Sequence, residues 1–388
     1  MKTRNLLALL CLIPTLYAHA QTATPDLYSW WQSSGVTGFN GIAANVQQVR
    51  YSANYVYVNS TNIPSYTIGP WPGNPNTAAN QNFVFKIARN PQVQTGTKTA
   101  TPLGHIGLWV SGVTIYNPKD AFSYNNQNIW YQNAVYVEAG SFDACKGHPA
   151  PNSEYHHHQN PSCLYTADPT KHSPILGYAF DGYPIYGPYA YANTNGTGDI
   201  TRMRSSYQLR NITTRTTLAN GTVLSPAQYG PPVNATYPLG YYLQDFEYIS
   251  GLGDLDQYNG RFCITPDYPN GTYAYFVTID AAGNSAFPYV IGPEYYGVLV
   301  AGNTGPGSGH VTISETVTTY TCLTNLPVYG TATICQNQSS FYTAPCLTGA
   351  TYNWSVSGGT ITAGQGTNTI TVLWSGPSAG TAQVTVNR

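Results

Sequence analysis

A short histidine-rich stretch is the part of the sequence best suited to chemistry. Four of the eight histidines fall in residues 148–158: His148, then His156, His157 and His158 in a row. In an extended strand, residues two apart face the same way at a spacing of about 6.6 Å. His156 and His158 are therefore predicted to present two imidazoles on one face, with His157 on the other. Two imidazoles at that spacing suit a shared transition-metal ion.

The same stretch also admits a simpler interpretation. The three adjacent histidines lie between a segment rich in Ser, Asn and Pro and the dipeptide Asn160-Pro161. That setting is typical of a solvated loop tip, and a short histidine-rich tract is only a compositional indication of metal binding. Spacing alone leaves both interpretations open.

A wider ligand set follows if the stretch does bind a metal. We expect His148 and His172 to join His156 and His158, with Asp181 as a further ligand or as the carboxylate that holds the second ring nitrogen of a ligand. Zn or Cu(II) is the expected ion, because cysteine thiolates are expected to be consumed by disulfides. The alternatives are a purely structural metal site or none, with Asp181 serving only as a turn residue.

A second candidate ion site is a loop rich in oxygen side chains. Asp254, Asp256 and Asn259 precede Gly260, and such alternation suits Ca²⁺. The spacing misses the EF-hand pattern by one residue, and no bidentate glutamate follows. A polar turn is therefore the favoured alternative.

Other catalytic patterns are missing from the sequence. It contains no G-x-S-x-G, no phosphate-binding loop and no H-E-x-x-H. Glu154 could act as a general base beside a metal, and it is equally consistent with a surface carboxylate. His105 and His310 have no partner that the sequence identifies.

The first twenty residues are typical of a secretory signal peptide. Lys2 and Arg4 give a basic start, residues 6–16 form an apolar core, and residues 18–20 match an A-x-A cleavage site. The apolar core is too short to span a bilayer. We therefore predict a secreted or cell-surface protein with no membrane span.

Six of the seven cysteines lie beyond the predicted signal peptide. An even number in an oxidising compartment favours disulfides. Cys145–Cys163 is the preferred pair, since it would close the loop that carries His148 and the histidine run; two unlinked thiols are the alternative. The sequence leaves the pairing of four cysteines open: Cys263, Cys322, Cys335 and Cys346.

Charge is scarce in this chain, and only 8% of its residues are Asp, Glu, Lys or Arg. Without Lys2 and Arg4, 13 of the 15 basic residues face 16 acidic ones, a formal net charge of −3. No basic patch is present to hold nucleic acid or anionic lipid. The sequence does not determine the oligomeric state.

Composition and periodicity favour a mainly β chain. There are 34 tyrosines, 38 glycines and 28 prolines, a mixture that suits short strands joined by tight turns. The only helical piece that we predict is short, at residues 226–229. The predicted domains are residues 21–300, a large β-rich domain built from hairpins, and residues 319–388, with a Gly-rich linker at 301–318.

An internal repeat relates residues 105–118 to residues 175–188, at an offset of 70. Both segments read as a strand, a Ser-Gly or Asp-Gly turn, a strand and a proline stop, which predicts two matched hairpins. Chance similarity of a common hairpin pattern is the alternative. The matching residues are Gly107, Gly112, Ile115, Tyr116 and Pro118 with Gly177, Gly182, Ile185, Tyr186 and Pro188.

Several motifs together resemble the YHYH family, named for a Tyr-His-Tyr-His motif. They extend over most of residues 25–300: Asp143 to Pro149, Tyr155 to His158, Pro161 to Leu164, His172 to Gly187, Gly251 to Phe262 and Thr265 to Thr278. The resemblance implies an exported protein, and it implies no settled biochemical activity. The chain departs from the motif at His157, which replaces the second Tyr. Residues 273–276 resemble a second copy of the motif that lacks histidines.

The C-terminal segment is similar to PKD-like modules of the Bacteroidetes type, on the strength of residues 352–374. That resemblance implies a small immunoglobulin-like β-sandwich that acts as a spacer or adhesion unit. Alternating Ile370, Val372 and Trp374, and then Ala382 and Val384, fit half-buried strands. Because the sequence stops after a strand, a further C-terminal domain remains open.

Two functions of different kinds remain open at this point. The first is a metalloenzyme or metal-binding protein. The second is a surface protein that binds glycans or other extracellular polymers through many exposed tyrosines, without catalysis.

Overall fold

The computed structural model of the chain describes most of its length. The described residues are 24–32, 35–305, 307–320, 328–330, 334, 336–344, 351–367, 369–376 and 380–387. The predicted signal peptide, residues 1–20, lies outside them, and so do Cys322, Cys335 and Cys346.

Short strands dominate the described chain, as the abundance of aromatic and β-branched residues between Gly, Pro and Asn turns predicts. Helix is limited to α1 (Pro25–Tyr28) and α2 (Ala134–Val137), with single 3₁₀ turns such as Pro226–Gln228. The strands, numbered in chain order, are β1 Val46–Tyr51, β2 Tyr55–Ser60, β3 Phe83–Ala88, β4 His105–Trp109, β5 Thr114–Tyr116, β6 Lys119–Ser123, β7 Tyr131–Asn133, β8 Gly147–Pro149, β9 Tyr155–His157, β10 Ile175–Ala179, β11 Pro184–Tyr186, β12 Tyr189–Tyr191, β13 Ile200–Arg202, β14 Tyr207–Leu209, β15 Phe246–Tyr248, β16 Gly260–Cys263, β17 Thr272–Phe276, β18 Thr318–Tyr320, β19 Tyr329–Gly330, β20 Gln338–Thr343, β21 Thr351–Ser357, β22 Thr360–Ala363, β23 Thr369–Trp374 and β24 Thr381–Asn387.

Two hairpins form the centre of the largest sheet. The β4–β5 turn contains Gly112 and the β10–β11 turn contains Gly182, with φ of 79° and 92°. Glycine adopts this left-handed region without steric cost. Both hairpins carry a register shift near the start of their first strand, and they join through an antiparallel β4–β10 pair. The two matched hairpins predicted from the sequence repeat are thus present.

Two further strands flank each hairpin. β9 lies parallel to β5, and β17 lies parallel to β11. β8 and β16 then close the two edges as antiparallel partners of β9 and β17. The complete order is β16-β17-β11-β10-β4-β5-β9-β8. The histidine run lies on β9, one strand in from an edge.

A second sheet, in the order β18-β1-β2-β3, packs on the same core. The predicted linker is hydrogen-bonded to this sheet. The Asn303 side chain exchanges two hydrogen bonds with the backbone of Lys86, and His310 forms an isolated β-bridge with Val84. β18 then adds an edge strand to this sheet. The glycines of the segment allow its turns, as at Gly302 and Gly309, where φ is 93° and 87°.

The C-terminal module is a separate β unit with its own core. Its described strands form two sheets, β19-β20-β23-β22 and β21-β24. On β23 the predicted alternation holds, because Ile370 and Val372 are fully buried and Trp374 is 8% exposed. They pack against Tyr352 and Trp354, as in an immunoglobulin-like sandwich.

Many of the tyrosines are core residues, contrary to the expectation of a tyrosine-rich surface. Their rings fill the space between the two large sheets and in smaller clusters, with hydroxyls bonded to buried carboxylates or carbonyls. The buried ones are Tyr57, Tyr155, Tyr178, Tyr183, Tyr186, Tyr242, Tyr273, Tyr275, Tyr289, Tyr295 and Tyr352.

The disulfide Cys145–Cys163 is confirmed, with its Cα atoms 5.0 Å apart and 18 residues of sequence separation. It ties the loop before β8 to the segment that follows the histidine run. Among the described cysteines, Cys263 is a buried free thiol.

We predict that replacing both Cys145 and Cys163 by Ala lowers the free energy of unfolding by about 3 kcal/mol. Without the cross-link, the unfolded chain gains conformational entropy that the closed loop would otherwise remove. Urea denaturation of the oxidised proteins would measure the change. Cys263→Ala is the matched control, since it removes a buried thiol without opening a loop. An equal loss in that control would contradict a role for the cross-link.

Candidate metal centre

Strand pairing brings three histidines to one face of the sheet. His156 pairs with Thr114 of β5 on one side and with His148 of β8 on the other. The alternation of β9 then places His158 on the same face as His156, and His157 on the opposite face. All three histidines of the shared face are buried.

The Nε2 atoms of these three imidazoles converge. The distance from His156 Nε2 is 3.1 Å to His148 Nε2 and 3.0 Å to His158 Nε2. All three Nε2 atoms lie within 4.8 Å of one another. Four-coordinate zinc with Zn–N bonds of 2.0–2.1 Å would hold its ligand nitrogens about 3.3 Å apart. The nitrogen cluster therefore has the size of a metal coordination site.

The other ring nitrogens determine which tautomer each histidine adopts. His156 Nδ1 lies 3.0 Å from the carbonyl oxygen of Glu154, and His158 Nδ1 lies 2.8 Å from that of Asn117. Because a carbonyl oxygen only accepts, both Nδ1 atoms must carry the proton.

His148 is fixed in the same way by a hydroxyl. Its Nδ1 lies 2.7 Å from Ser141 Oγ, and that hydroxyl donates to the carbonyl oxygen of Glu138 at 2.7 Å. Ser141 Oγ is therefore the acceptor, and His148 also carries its proton on Nδ1. As a result, the Nε2 atom of each neutral imidazole offers a lone pair, and a metal cation between the three atoms would satisfy all of them.

A proton is a poor candidate for that cation. Burial, together with the nearby His158, lowers the pKa of His148 to about 4. Burial, together with the nearby His158 and His148, lowers the pKa of His156 well below its ordinary value. Both imidazoles are therefore neutral at physiological pH, which is the form that binds a metal.

Glu138 adds a fourth ligand atom that sequence reasoning missed. Its Oε2 lies 3.2 Å from His158 Nε2 and 3.6 Å from His148 Nε2. This oxygen is buried and has no hydrogen-bond donor among the described residues. A cation between this oxygen and the imidazole nitrogens would satisfy all of them, so the donor set fits a transition metal held by three imidazoles and one carboxylate.

The cluster opens into a cavity of about 390 Å³. Its wall includes Tyr116, Lys119 and Asp120 beside the metal-facing histidines. A ligand of a few heavy atoms therefore has access to the point where the nitrogens converge.

Glu154 supports the cluster from beneath rather than lying at the surface. Its carboxylate is buried, with Oε1 2.6 Å from His105 Nε2 and Oε2 accepting from Tyr116 at 2.9 Å. The Tyr116 ring stacks on His156 at a centroid distance of 3.9 Å. Burial raises the pKa of Glu154, but the bonds from His105, Thr114 and Tyr116 outweigh it and the pKa is lowered. A general-base role does not fit a carboxylate whose oxygens are already occupied.

Comparison with known families matches this region directly. The family described as YHYH protein matches residues 84–287, more than half of the chain. This chain belongs to the YHYH family. A PKD-like domain matches residues 322–388. No curated protein and no solved structure matches the chain.

The first tyrosine of the YHYH motif anchors the metal-bearing loop. Tyr155 is fully buried, and its hydroxyl bonds to both oxygens of Asp143, at 3.2 and 3.0 Å. Asp143 in turn holds the loop that leads into His148. His157, which departs from the family motif, lies on the same face of β9 as Tyr155, opposite to His156. Its Nε2 is 3.4 Å from the Tyr155 hydroxyl.

Two predicted ligands of the YHYH domain lie elsewhere. His172 stands before β10, where its ring packs against Tyr186 and Tyr191 and its Nδ1 donates to its neighbour's carbonyl oxygen. Asp181 lies in the β10–β11 turn and accepts from the Tyr275 hydroxyl at 2.6 Å. The second hairpin faces the other half of the sheet, so its residues do not reach β8 and β9.

In the predicted calcium loop of the YHYH domain, the two carboxylates already accept from protein donors. Asp254 forms an ion pair with Arg204 at 3.0 Å, and both oxygens of Asp256 accept from the Tyr273 hydroxyl. Asn259 donates its side-chain amide to two backbone carbonyls. These contacts correspond to the polar turn that the sequence left as the alternative.

Asp181 yields a prediction about pH. Burial raises its pKa to about 6, although the Tyr275 hydroxyl and backbone N–H groups partly offset this. The folded state then binds the proton more tightly than the unfolded state, so the stabilisation is complete below pH 4 and is lost as the pH rises through 6. Relative to Asp181→Asn, we expect the wild type to lose roughly 2–3 kcal/mol between pH 4 and pH 7.5. Denaturation curves at both pH values would measure this; parallel curves for the two proteins would contradict it.

Proposed function

We propose that this protein is an exported metal-binding protein of the YHYH family, with a centre formed by His148, His156, His158 and Glu138. The observation that carries the proposal is the convergence of three Nε2 lone pairs whose Nδ1 atoms are all committed to oxygen acceptors. Neutral, pre-oriented imidazoles bind Zn or Cu without a conformational change or loss of a proton.

The open side of the centre supports a reactive rather than a purely structural role. Zinc or copper bound there would supply Lewis-acid chemistry, and copper would add one-electron chemistry. The chain itself contributes two titratable side chains, Lys119 and Asp120, on the cavity wall. Burial, reinforced by Glu138, raises the pKa of Asp120, which makes its carboxyl a better proton carrier near the ion.

The domain partnership supports a location outside the cell. YHYH and PKD-like domains occur together here, and the chain carries a disulfide. Among the described residues, no helix has the length and apolar character needed to cross a bilayer. These features support a secreted or surface-exposed protein.

A binding function without catalysis is the second candidate. A cleft of about 590 Å³ at the other half of the sheet is lined by Tyr28, Trp31 and Tyr165. Half-buried aromatic rings of this kind offer flat surfaces to the apolar faces of sugars or other polymers. Such binding would need no metal.

We predict that the full chain, exported to an oxidising compartment without a tag, contains about one Zn or Cu ion. His156→Ala should lose the ion, because His156 Nε2 contacts both other nitrogens. Glu138→Gln should keep the three imidazoles and bind the metal more weakly. Metal content by mass spectrometry and affinity by competition with a chelator would measure both effects.

His172→Ala is the matched control for this experiment. It removes a predicted ligand that the structure places away from the cluster, so metal content should not change. A folded wild type that takes up no Zn or Cu, even after incubation with each ion, would contradict the metal proposal. The aromatic cleft would then be the better explanation of function.

A second prediction concerns the support from Glu154. Glu154→Gln should weaken metal affinity about 10- to 100-fold, because Tyr116 loses the carboxylate that holds its ring against His156. Tyr116→Phe, which keeps the stacked ring and removes only the hydroxyl, should have a smaller effect. Equal effects of the two variants would show that the hydroxyl bond, not the stacking, supports His156.

A further inference from the structure

The metal-bearing half of the large sheet has a structural duplicate in the same chain. Reading its order from either edge gives an edge strand, its antiparallel partner, and a hairpin that meets the other hairpin at the centre. The pairings are also the same, with β5 parallel to β9 and β11 parallel to β17. The likeness therefore extends beyond the two hairpins to all eight strands.

The loops that lead into β8 and β16 match bond for bond. Asp143 Oδ1 accepts from the backbone N–H groups two and four residues later, at 2.9 and 3.1 Å. Asp256 Oδ1 accepts the same two bonds at 2.9 and 3.1 Å. The hydroxyls of Tyr155 and Tyr273 each donate to both oxygens of the corresponding carboxylate.

Each edge strand begins with a glycine, and in both strands a larger residue would clash with the adjacent tyrosine. A Cβ on Gly147 would collide with the Tyr155 hydroxyl, and a Cβ on Gly260 with the Tyr273 hydroxyl. The residue before each glycine is left-handed, with φ of 69° and 67°. A chance resemblance of hairpins would not reproduce these details of a separate loop.

The strand registers then give a residue-by-residue correspondence. Ile115 pairs with His157, and its equivalent Ile185 pairs with Tyr275. His156 and His158 therefore correspond to Ala274 and Phe276. His148 faces His156 across β8–β9, just as Arg261 faces Ala274 across β16–β17.

A side-chain cation stands in the second half where the imidazoles converge in the first. Ala274 leaves the face free, and the Arg261 guanidinium lies over the Phe276 ring at 5.7 Å. It donates to the backbone carbonyls of Tyr191 and Ala192. A guanidinium on an aromatic face with carbonyl acceptors is a stable, permanently charged arrangement.

We propose that the two halves are copies of one metal-binding unit, and that the Arg261 guanidinium replaces the ion in the second copy. The inference rests on the proposed function of the first half, since it takes that half to bind a divalent transition metal. The second framework retains the strands, loop carboxylate and tyrosine that position such ligands, and it lacks the three imidazoles and the glutamate.

Restoring the imidazoles tests this proposal. The variant Arg261→His/Ala274→His/Phe276→His should bind about two Zn ions per chain against about one for the wild type. Adding His156→Ala should leave about one ion, now held in the second half. Metal is counted by mass spectrometry after dialysis, and near-ultraviolet circular dichroism checks that each variant is folded.

The outcomes separate the two proposals. A wild type with one ion and a folded triple variant that also holds one ion would overturn the duplicate site alone. A wild type with none would overturn the metal function, and the replaced-ion inference would fall with it.

A second measurement applies if the triple variant does not fold. Arg261→Lys keeps a cation near Phe276, whereas Arg261→Met keeps only the apolar volume. If the guanidinium takes the place of an ion, Arg261→Met should lower the melting temperature clearly further than Arg261→Lys. Equal shifts would assign Arg261 to packing alone and overturn the replacement.

Discussion

Facing lone pairs are the constraint that organises the histidine-bearing half of the sheet. The Nε2 atoms of His148 and His158 lie 3.1 and 3.0 Å from His156 Nε2, and Glu138 Oε2 lies 3.2 Å from His158 Nε2. Each imidazole donates its Nδ1 proton to an oxygen, either a backbone carbonyl oxygen or Ser141 Oγ. Buried acceptors that face one another without a donor destabilise the folded state, and a cation bound between them would remove that destabilisation by accepting their lone pairs.

The scaffold of the domain does not need the metal chemistry. Tyr155 bonded to Asp143 and Tyr273 bonded to Asp256 shape equivalent loops, while imidazoles are present above only one of them. The motif tyrosine is thus a folding element, and the motif histidines form the candidate metal site. Separate roles for neighbouring motif residues explain how one half keeps the fold and lacks the ligands.

Local periodicity was sufficient to predict part of the site from the sequence. A period of two placed His156 and His158 on one face, the loop closed by Cys145–Cys163 was recognised from composition and spacing, and the matched turns predicted both hairpins. These features depend on residues that are near in sequence or on strong turn chemistry.

The remaining features depend on strand order, which a single sequence does not reveal. Glu138 reaches the cluster from the end of α2, and nothing in its local sequence distinguishes it from a surface glutamate. His105 meets Glu154 only because β4, β5 and β9 are neighbours in the sheet. The same order excludes His172 and Asp181, whose proximity in sequence suggested a shared site.

The two halves also show why charge matters more than ligand identity at this position of the fold. In one half, burial lowers the pKa values of His148 and His156 and so favours their neutral, metal-binding form. In the other, Arg261 brings its own charge, and the neighbouring positions become an alanine and a phenylalanine that accommodate it. An arginine cannot lose its proton in a protein, so this half has no dependence on ion supply.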